Sequence, residues 1–430
     1  MPMATDSTPV RVGLIGAGKF GAMFLSQAPT TPGLEVRAIA DLDPDKARNT
    51  CRAVGWDAAR VAATDFLDRG IELAVRDDID VIIEATGHPS AGIAHALAAI
   101  DAGRHIVMVN VEADVLAGAA LAERARKAGV VYSMAYGDQP ALTVEMIDWA
   151  RACGFRVVAA GKGTKYMPAY HGVTPDTVWD HYGLTPEDAA AAGMNSKMFN
   201  SFLDGTKSAI EMAAIANASG LAVPEDGLAF PPCGVDDLAH VLRPAEVGGI
   251  LPQAGMVEVV SSVERDGRPV FRDLRWGVYV VLEAPNAYSA ACFKQYGLIT
   301  DATGRYAATY KPFHLIGMEL NMSVFSAARH GRPTGTTRTF AGDAVATAKR
   351  DLKAGEMLDG EGGYTVYGKL VPAARSAADA MLPIGFAHDV RLVRDVPAGV
   401  IVTEADIAPL ADTTALAMRR RSVELAAPTD

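Results

Sequence analysis

The chain has 430 residues, which is too long for one hydrophobic core, so two or three domains are expected. Half of the residues are apolar and 21% are charged, as in ordinary globular proteins. The formal charge of −11 argues against a non-specific nucleic-acid binder, although a local pocket on an acidic protein can still hold an anionic small molecule.

The cysteines and the start of the chain bear on its location. Cys51, Cys153, Cys233 and Cys292 are scattered without a CxxC pair, which favours reduced thiols over a disulfide framework or a structural zinc site. The first nine residues are polar, and no basic segment is followed by a long apolar run. These features predict a soluble cytoplasmic protein without a signal peptide or membrane span.

Residues 10 to about 150 alternate strands and helices. The predicted strands are Val10–Ile15, Leu34–Ala40, 79–87, 104–110 and 130–135. The predicted helices are 19–28, 43–55, 90–103 and 116–129. Such alternation implies right-handed crossovers and a parallel, doubly wound α/β sheet. We therefore predict an NAD(P)-binding Rossmann domain at 1–150.

The pattern changes after residue 150. Residues 155–340 mix strand-like runs such as "RWGVYVVLEA" with helical ones, which predicts an α+β substrate domain at 151–340 with a mostly antiparallel sheet. The last 90 residues contain the phrase R-D-x-x-A-G twice, after Lys349 and after Val393. Two copies are too few for a solenoid, so we predict one small β-rich module at 341–430. Arg350 and Arg394, within the two copies, are predicted to form structural ion pairs.

The first predicted strand ends in a glycine-rich turn. Gly16, Gly18 and Gly21 complete G-x-G-x-x-G at a strand-to-helix junction, where the glycines permit a sharp turn, close approach of a diphosphate and tight helix packing. The predicted cofactor-binding segment also includes Ala17, Lys19 and Phe20. The alternative, a tight turn in a cofactor-free domain, is less favoured in this context.

Asp41 ends the second strand, where its carboxylate would accept hydrogen bonds from the adenosine ribose. By itself it favours NAD(H), because it would repel a 2′-phosphate. Lys46 and Arg48 follow closely and could offset that repulsion, so the residues leave the choice of coenzyme open.

Two further strand ends lie on the same edge of the predicted sheet. Thr86 and Gly87 follow the third strand and are predicted to lie along the nicotinamide side of the crevice. Asn110 and Glu112 follow the fourth strand. Helix capping is the alternative role for this second pair, and it is compatible with a role in the site.

The predicted substrate domain contains three polar runs. "GKGTKYMPAYHG" carries the predicted substrate-binding residues Lys162, Thr164, Lys165 and Tyr166, and "NSFLDGTKSAIEMA" carries Asn200, Asp204, Lys207 and Glu211. "YKPFHLIGMEL" adds Lys311 and His314. Lysine binds anionic groups, and lysine, glutamate and histidine can carry the proton that accompanies hydride transfer.

Each of these assignments has a plainer alternative. Lys207 and Glu211 stand four residues apart and could form an exposed ion pair, and His314 could be a hydrogen-bonded structural residue. Asp204, Glu211, Asp138 and Glu112 could hold one divalent cation, but their spacing does not demand a metal.

Several phrases resemble homoserine dehydrogenases. "GLIGAGKFG" before an α+β domain is similar to their domain order, "HIVMVNVEADVLA" to their Asn-Lys strand end, and "NSFLDGTKSAIE" to their Asn-Gly-Thr helix start. Glu112 stands near the expected lysine, and no ACT-like tail follows. These departures argue against homoserine as the substrate.

Over nearly its full length the chain more closely resembles the 1-deoxy-D-xylulose 5-phosphate reductoisomerase-like family, which joins a homoserine-dehydrogenase-like core to a SAF-type module. The resemblance lies in "FNSFLDGTKSAIEMAAIAN", "GRYAATYKPFHLIGMEL", "VATAKRDLKAGEMLDGEGGYTVYGKL" and "LPIGFAH". It implies NADPH-dependent conversion of 1-deoxy-D-xylulose 5-phosphate to 2-C-methyl-D-erythritol 4-phosphate in isoprenoid biosynthesis. The homoserine-dehydrogenase-like core also implies a homodimer.

This chemistry suggests roles for the polar runs. Lys162, Lys165 and Lys207 would neutralise the phosphate of a phosphorylated or acidic sugar-like substrate. Glu211 or His314 would handle hydroxyl protons, Lys311 would polarise a carbonyl, and Glu112 is a further catalytic candidate. Two alternatives remain: an NAD(P)-dependent dehydrogenase of a sugar acid, sugar phosphate or hydroxy-amino acid without skeletal rearrangement, and a cofactor-bound sensor of a sugar ligand.

Overall fold

The computed structural model describes residues 8–426, and these divide into two compact units. One unit contains the chain up to Leu142, together with His314–Arg338 and the segment from Asp412. The other contains Thr143–Phe313 and Thr339–Ala411. This division follows packing, whereas the predicted domains follow the order of the sequence, and each of the two units is discontinuous along the chain.

The first unit is built on a six-stranded parallel sheet. Its strands are β1 (Val10–Ile15), β2 (Leu34–Ala40), β3 (Asp65–Leu67), β4 (Val81–Glu84), β5 (His105–Met108) and β6 (Tyr132–Met134). Their order is β3-β2-β1-β4-β5-β6, so the direction of winding reverses between β1 and β4. Ligands of such folds bind at the carboxyl ends of the strands at this reversal. The sequence-based prediction of a doubly wound α/β domain is confirmed.

Seven helices lie between these strands or directly after them along the chain. They are α1 (Lys19–Gln27), α2 (Pro44–Ala53), α3 (Ala58–Ala62), α4 (Gly70–Ala74), α5 (Pro89–Asp101), α6 (Val111–Ala128) and α7 (Gln139–Ala152), the last of which leads into the second unit. Apolar side chains such as Leu14, Ile39 and Ile83 are completely buried, as expected for strands covered on both faces. The sequence did not reveal α3, β3 and α4, because elements of three to five residues are too short for a hydrophobic period.

The second unit contains a mixed five-stranded sheet. Its strands are β7 (Arg156–Thr164), β8 (Met256–Ser261), β9 (Val278–Glu283), β10 (Ile299–Thr300) and β11 (Tyr306–Lys311). The order is β10-β11-β9-β7-β8, and only the β7–β8 pair is parallel. The predicted mostly antiparallel sheet is therefore present.

Five helices follow in this part of the chain, and a sixth belongs to the first unit. They are α8 (Pro186–Ala191), α9 (Ser196–Leu203), α10 (Thr206–Ser219), α11 (Leu238–Val241), α12 (Ala287–Gln295) and, in the first unit, α13 (Asn321–His330). Every residue of α10 except Lys207 is buried, which makes this helix the centre of the second unit.

The C-terminal strands also belong to the second unit. The remaining elements are β12 (Gly342–Ala348), β13 (Met357–Asp359), β14 (Val366–Pro372), α14 (Ala373–Ala378), β15 (His388–Arg391) and α15 (Thr414–Ala426). β12 pairs with β14 and both strands contact α10, whereas α15 contacts α5 and α6 in the first unit. The assignment of 341–430 to a small β-rich module of SAF type stays a prediction.

The two R-D-x-x-A-G copies face each other with local twofold character. Leu352 and Val396 exchange backbone hydrogen bonds of 2.8 and 3.0 Å. Asp351 and Asp395 each accept a hydrogen bond of 2.9 Å from the backbone amide of the alanine in the opposite copy. The internal repeat seen in the sequence is thus a reciprocal pairing of two turns. Their arginines form ion pairs with Glu356 and Asp406.

Candidate functional site

The three glycines of the first turn have three different surroundings. Gly16 has φ of +96°, and a Cβ there would lie 2.6 Å from the carbonyl oxygen of Ala85. A Cβ on Gly21 would collide with the carbonyl oxygen of Gly16, so this glycine allows α1 to lie close to the turn. Gly18 is exposed, and a Cβ there would meet nothing within 4 Å. The open space over Gly18 fits the approach of a diphosphate to the backbone at the start of α1.

Asp41 is fixed beside this turn. One oxygen of its carboxylate accepts a hydrogen bond of 2.8 Å from the amide of Ala17, and the other accepts one of 3.1 Å from the amide of Asp43. Arg48, which could offset its charge, forms an ion pair of 2.7 Å with Asp45. Together with Lys19 and the half-buried Phe20 in the first turn of α1, these residues fit a dinucleotide.

The end of β4 contains a buried carboxylate that sequence analysis missed. Glu84 is fully buried, and its Oε1 accepts a hydrogen bond of 2.5 Å from the Thr86 hydroxyl and lies 3.2 Å from Nδ1 of His95. Its Oε2 has no hydrogen-bond partner among residues 8–426. Glu84 therefore orients Thr86 at the predicted nicotinamide edge, while Gly87 turns the chain with φ of +72°.

Asn110 caps the helix that follows β5. Its Oδ1 accepts a hydrogen bond of 3.0 Å from the amide of Ala113, and its Nδ2 donates one of 3.1 Å to the carbonyl of His88. The capping alternative is thus correct for Asn110. It still lies at the predicted edge, since it links the segments that follow β4 and β5. Glu112 lies half-buried in the first turn of α6.

The second unit contains a buried ion pair between β7 and α10. Nζ of Lys162 contacts Oε2 of Glu211, and the two residues are only 5% and 2% exposed. The alternative of an exposed helical pair is therefore wrong for Glu211, because α10 is buried along its length. Burying two charges costs free energy, and their mutual attraction offsets that cost only when the geometry of the pair is good.

Asp204 and Asn200 contact the C-terminal segment through Lys349 and the carbonyl of Gly362. The Asp204 carboxylate lies 2.8 Å from Nζ of Lys349 and accepts a hydrogen bond of 2.9 Å from the amide of Thr206 at the start of α10. Lys349 also donates to the carbonyls of Val173 and Gly363 at 2.7 and 2.8 Å. Nδ2 of Asn200 contacts neighbouring carbonyls, those of residues 173 and 362. Sequence analysis missed Lys349 because the β12 turn and α10 are distant along the chain.

His171 lies at the centre of an aromatic cluster. Its Nδ1 donates a hydrogen bond of 2.7 Å to the carbonyl oxygen of Asp204, which leaves Nε2 to accept one of 2.9 Å from the Tyr166 hydroxyl. Burial lowers the pKa of His171, so the ring is neutral at pH 7. Tyr367 stacks on this ring, and Phe230 stacks on Tyr166 with centroids 3.9 Å apart.

Two cations lie against one aromatic ring nearby. Nζ of Lys165 and the guanidinium of Arg275 lie 5.8 and 5.9 Å from the ring centroid of Tyr182. Burial, and then the charge of Arg275, lower the pKa of Lys165. Lys165 donates a hydrogen bond to the carbonyl of His181, whereas the Arg275 guanidinium has no ion pair or hydrogen bond among residues 8–426. Thr164, at the end of β7, is half-buried.

The last predicted pair belongs to different units. Lys311 ends β11 in the second unit, with Nζ 5.4 Å from the ring centroid of Phe313, and His314 begins a segment of the first unit. The described residues contain no candidate metal site. Among them no group of three or more histidines, cysteines or carboxylates is arranged to hold a metal ion. Of the predicted metal candidates, Asp204 and Glu211 contact lysines instead. All four cysteines are free thiols.

Glu258 on β8 leads to a prediction about pH. Its buried carboxyl group accepts backbone hydrogen bonds from Ala229, Phe230 and Val259, and burial raises its pKa to about 7 from an ordinary 4.5. The folded protein therefore holds this proton more tightly than the unfolded chain does. Its contribution to stability is full below pH 4.5 and is lost as the pH rises towards 7.

Between pH 4.5 and pH 8 the free energy of unfolding should fall less in Glu258→Gln than in the wild type. We expect the two decreases to differ by on the order of 2–3 kcal/mol. Urea unfolding at both pH values measures the effect, with exposed Glu246→Gln as the control. An unchanged pH dependence in Glu258→Gln would show that this carboxyl group titrates normally.

Comparison with known proteins agrees with this arrangement. Residues 10–136 match the family described as "Oxidoreductase family, NAD-binding Rossmann fold", and residues 137–320 match "Oxidoreductase DRL, catalytic domain". Both matched families are described as oxidoreductases, and the first is described as NAD-binding. The predicted enzyme class and nicotinamide coenzyme are confirmed at this level. The glycine turn lies in the first matched segment, and Lys162, Lys165 and Glu211 lie in the second.

One curated relative matches a limited part of the chain. A homoserine dehydrogenase from Neisseria gonorrhoeae is 32% identical over 111 residues, which cover 24% of this chain and 23% of that protein. The chain thus matches less than a quarter of this curated relative.

Several solved structures resemble parts of the chain. A homoserine dehydrogenase from Thiobacillus denitrificans is 18% identical and covers 50% of each chain, with a TM-score of 0.37. A probable dehydrogenase from Thermotoga maritima is 14% identical, and the match covers 75% of this chain and 90% of that protein, with a TM-score of 0.39. KijD10, a 3-ketoreductase from Actinomadura kijaniata in complex with NADP, is 20% identical and covers 37% and 50%, with a TM-score of 0.27. None of the helices in residues 8–426 combines the length and apolar character of a membrane span.

Proposed function

We propose that this oxidoreductase transfers hydride between a nicotinamide coenzyme and a hydroxyl- or keto-substrate that carries an anionic group. The observation that carries the proposal is the pair Lys165 and Arg275, two cations against Tyr182 without a carboxylate partner. Like charges held together on a protein of net charge −11 favour an anionic ligand.

The coenzyme is proposed to bind in the first unit, at the turn over Gly18 with Asp41 beside it. A nicotinamide ring bound there supplies or accepts the hydride. Asp41 offers only acceptor atoms, and two backbone amides already fix it in place, which supports NAD(H) over the NADP(H) that the family resemblance implies. Glu84 would hold the Thr86 hydroxyl at the nicotinamide edge.

The proton that accompanies the hydride needs a carrier. Lys162 can donate from Nζ to a substrate oxygen, and Glu211 holds that ammonium group in place. Further candidates for proton transfer or for polarising the carbonyl are Glu112, Lys207, Lys311 and His314. Asn200 and Asp204 contribute by fixing the segments around His171.

The narrower proposal is reductive isomerisation of 1-deoxy-D-xylulose 5-phosphate to 2-C-methyl-D-erythritol 4-phosphate, which the family resemblance favours. The Lys165–Arg275 pair supports a phosphate or carboxylate in the substrate equally well. Phosphorylated ketoses and sugar acids should therefore be screened with NADH and NADPH, with and without Mg²⁺ or Mn²⁺. Tracing the product's carbon skeleton by NMR with ¹³C-labelled substrate distinguishes rearrangement from simple reduction. No absorbance change with any substrate would favour the sensor alternative.

We expect Lys165→Gln and Arg275→Gln each to raise KM for the anionic substrate at least about tenfold, because each removes one charge that faces the ligand. Steady-state kinetics measure the effect. Arg268→Gln is the control, because it removes an equal charge from an exposed ion pair with Asp266. If the control raises KM as much as the two variants do, the pair does not bind the substrate.

A further inference from the structure

The C-terminal strand β14 lies directly against the beginning of α10. The amide of Gly368 donates a hydrogen bond of 2.7 Å to the Thr206 hydroxyl, and a Cβ on Gly368 would lie 2.9 Å from Cγ2 of Thr206. Side chains two residues apart leave a strand on the same face. This contact therefore fixes the positions from which Tyr367 and Lys369 extend together.

The polar ends of both side chains have no hydrogen bond or ion pair within residues 8–426. The ring of Tyr367 stacks on His171 with centroids 4.3 Å apart and planes inclined by 22°, while its hydroxyl has no hydrogen bond among residues 8–426. The ammonium group of Lys369 likewise has no hydrogen bond or ion pair within the described part of the chain. Both residues are half-buried.

The stem of Lys369 is held from the other side. A Cβ on Gly227 would lie 3.0 Å from Cε of Lys369, so this glycine leaves room for the lysine to pass. Gly227 has φ of +90°, a conformation that favours glycine. The half-buried, laterally held stem distinguishes Lys369 from a freely mobile surface lysine.

Two polar residues beside this pair, His171 and Asp204, are already engaged. His171 already donates from Nδ1 to the Asp204 carbonyl and accepts at Nε2 from Tyr166. The Asp204 carboxylate is paired with Lys349. One ammonium group and one hydroxyl are therefore left to bind a ligand, and an oxyanion is the group that suits both.

We propose that Tyr367 and Lys369 form a binding edge for an oxyanion, a phosphate or a carboxylate, beside His171. This inference rests on the proposed function, because it gives the substrate a second contact besides Lys165 and Arg275. The C-terminal segment then takes part in substrate recognition, with Lys369 binding the charge and Tyr367 donating from its hydroxyl.

Titrations of the full-length protein with inorganic phosphate, followed by ³¹P NMR, and with glycerate, followed by calorimetry, test the edge. We expect Lys369→Gln to weaken binding of at least one probe about tenfold, and Tyr367→Phe, which keeps the stacked ring, to weaken it about threefold. The probe that responds identifies the oxyanion. Lys294→Gln is the matched control, since it removes an exposed lysine whose Nζ donates a hydrogen bond to the Ala302 carbonyl.

The result that overturns the edge is affinity for both probes within twofold of wild type in Lys369→Gln and Tyr367→Phe. If Lys165→Gln and Arg275→Gln still weaken the same probes, the proposed function stands without the edge. Conversely, loss of oxyanion affinity in Lys369→Gln in a protein that oxidises or reduces no screened substrate supports the edge while the proposed function fails.

Discussion

Gly18→Val is expected to weaken binding of NAD(H) and NADP(H) at least 100-fold, equivalent to about 2.7 kcal/mol, without lowering the melting temperature. The space over Gly18 is empty, and its extended backbone, with φ of −71°, accepts a side chain. The valine would therefore fill only the volume through which a diphosphate reaches the backbone amides of the turn. Titration calorimetry measures the affinity, and thermal unfolding without coenzyme measures the stability.

The neighbouring glycine provides the comparison. In Gly21→Ala the new Cβ would collide with the Gly16 carbonyl, so we expect this variant to lose stability as well as coenzyme affinity. The contrast separates a glycine needed for the ligand from one needed for the fold. Full coenzyme affinity in Gly18→Val would mean that the dinucleotide does not cross this turn.

Lys349→Met is expected to destabilise the protein by about 3–5 kcal/mol, because it leaves the Asp204 carboxylate buried without its partner. The substitution also removes the donors to the carbonyls of Val173 and Gly363. Such a loss is a large part of the stability of an ordinary domain. Chemical denaturation at pH 7 measures it.

Two further variants isolate the buried pair. In Lys349→Met/Asp204→Asn we expect a smaller loss than the sum of the single variants, because the double variant leaves no unpaired charge. Lys353→Met breaks an exposed pair with Asp395 in the same C-terminal region and should cost much less stability, because water and salt screen exposed charges. Equal losses in Lys349→Met and Lys353→Met would contradict the importance of the buried pair.

The sequence allowed prediction where a residue's role depends on its immediate neighbours. The glycine turn, Asp41 and the strand ends at Thr86 and Asn110 follow from strand–helix alternation, because parallel strands bring their carboxyl ends to one edge. The repeated R-D-x-x-A-G phrase likewise indicated a pairing that the structure contains. For these features, local pattern and tertiary position agree.

Prediction failed where the partner comes from a distant segment. Glu211 is buried and contacts Lys162 of β7, because α10 lies at the centre of its unit. Arg275 and Tyr367 went unrecognised as site residues, since only folding brings them to Tyr182 and His171. No local period encodes such contacts.

The most direct test of the central claim is titration of the purified wild-type chain with NADH and with NADPH, followed by nicotinamide fluorescence. Saturation at one coenzyme per chain is expected, with competition by ADP-ribose and with tighter binding of NADH because of Asp41. No saturation by either coenzyme at millimolar concentration would contradict a dinucleotide site at the Gly16–Gly21 turn, and with it the assignment of hydride transfer.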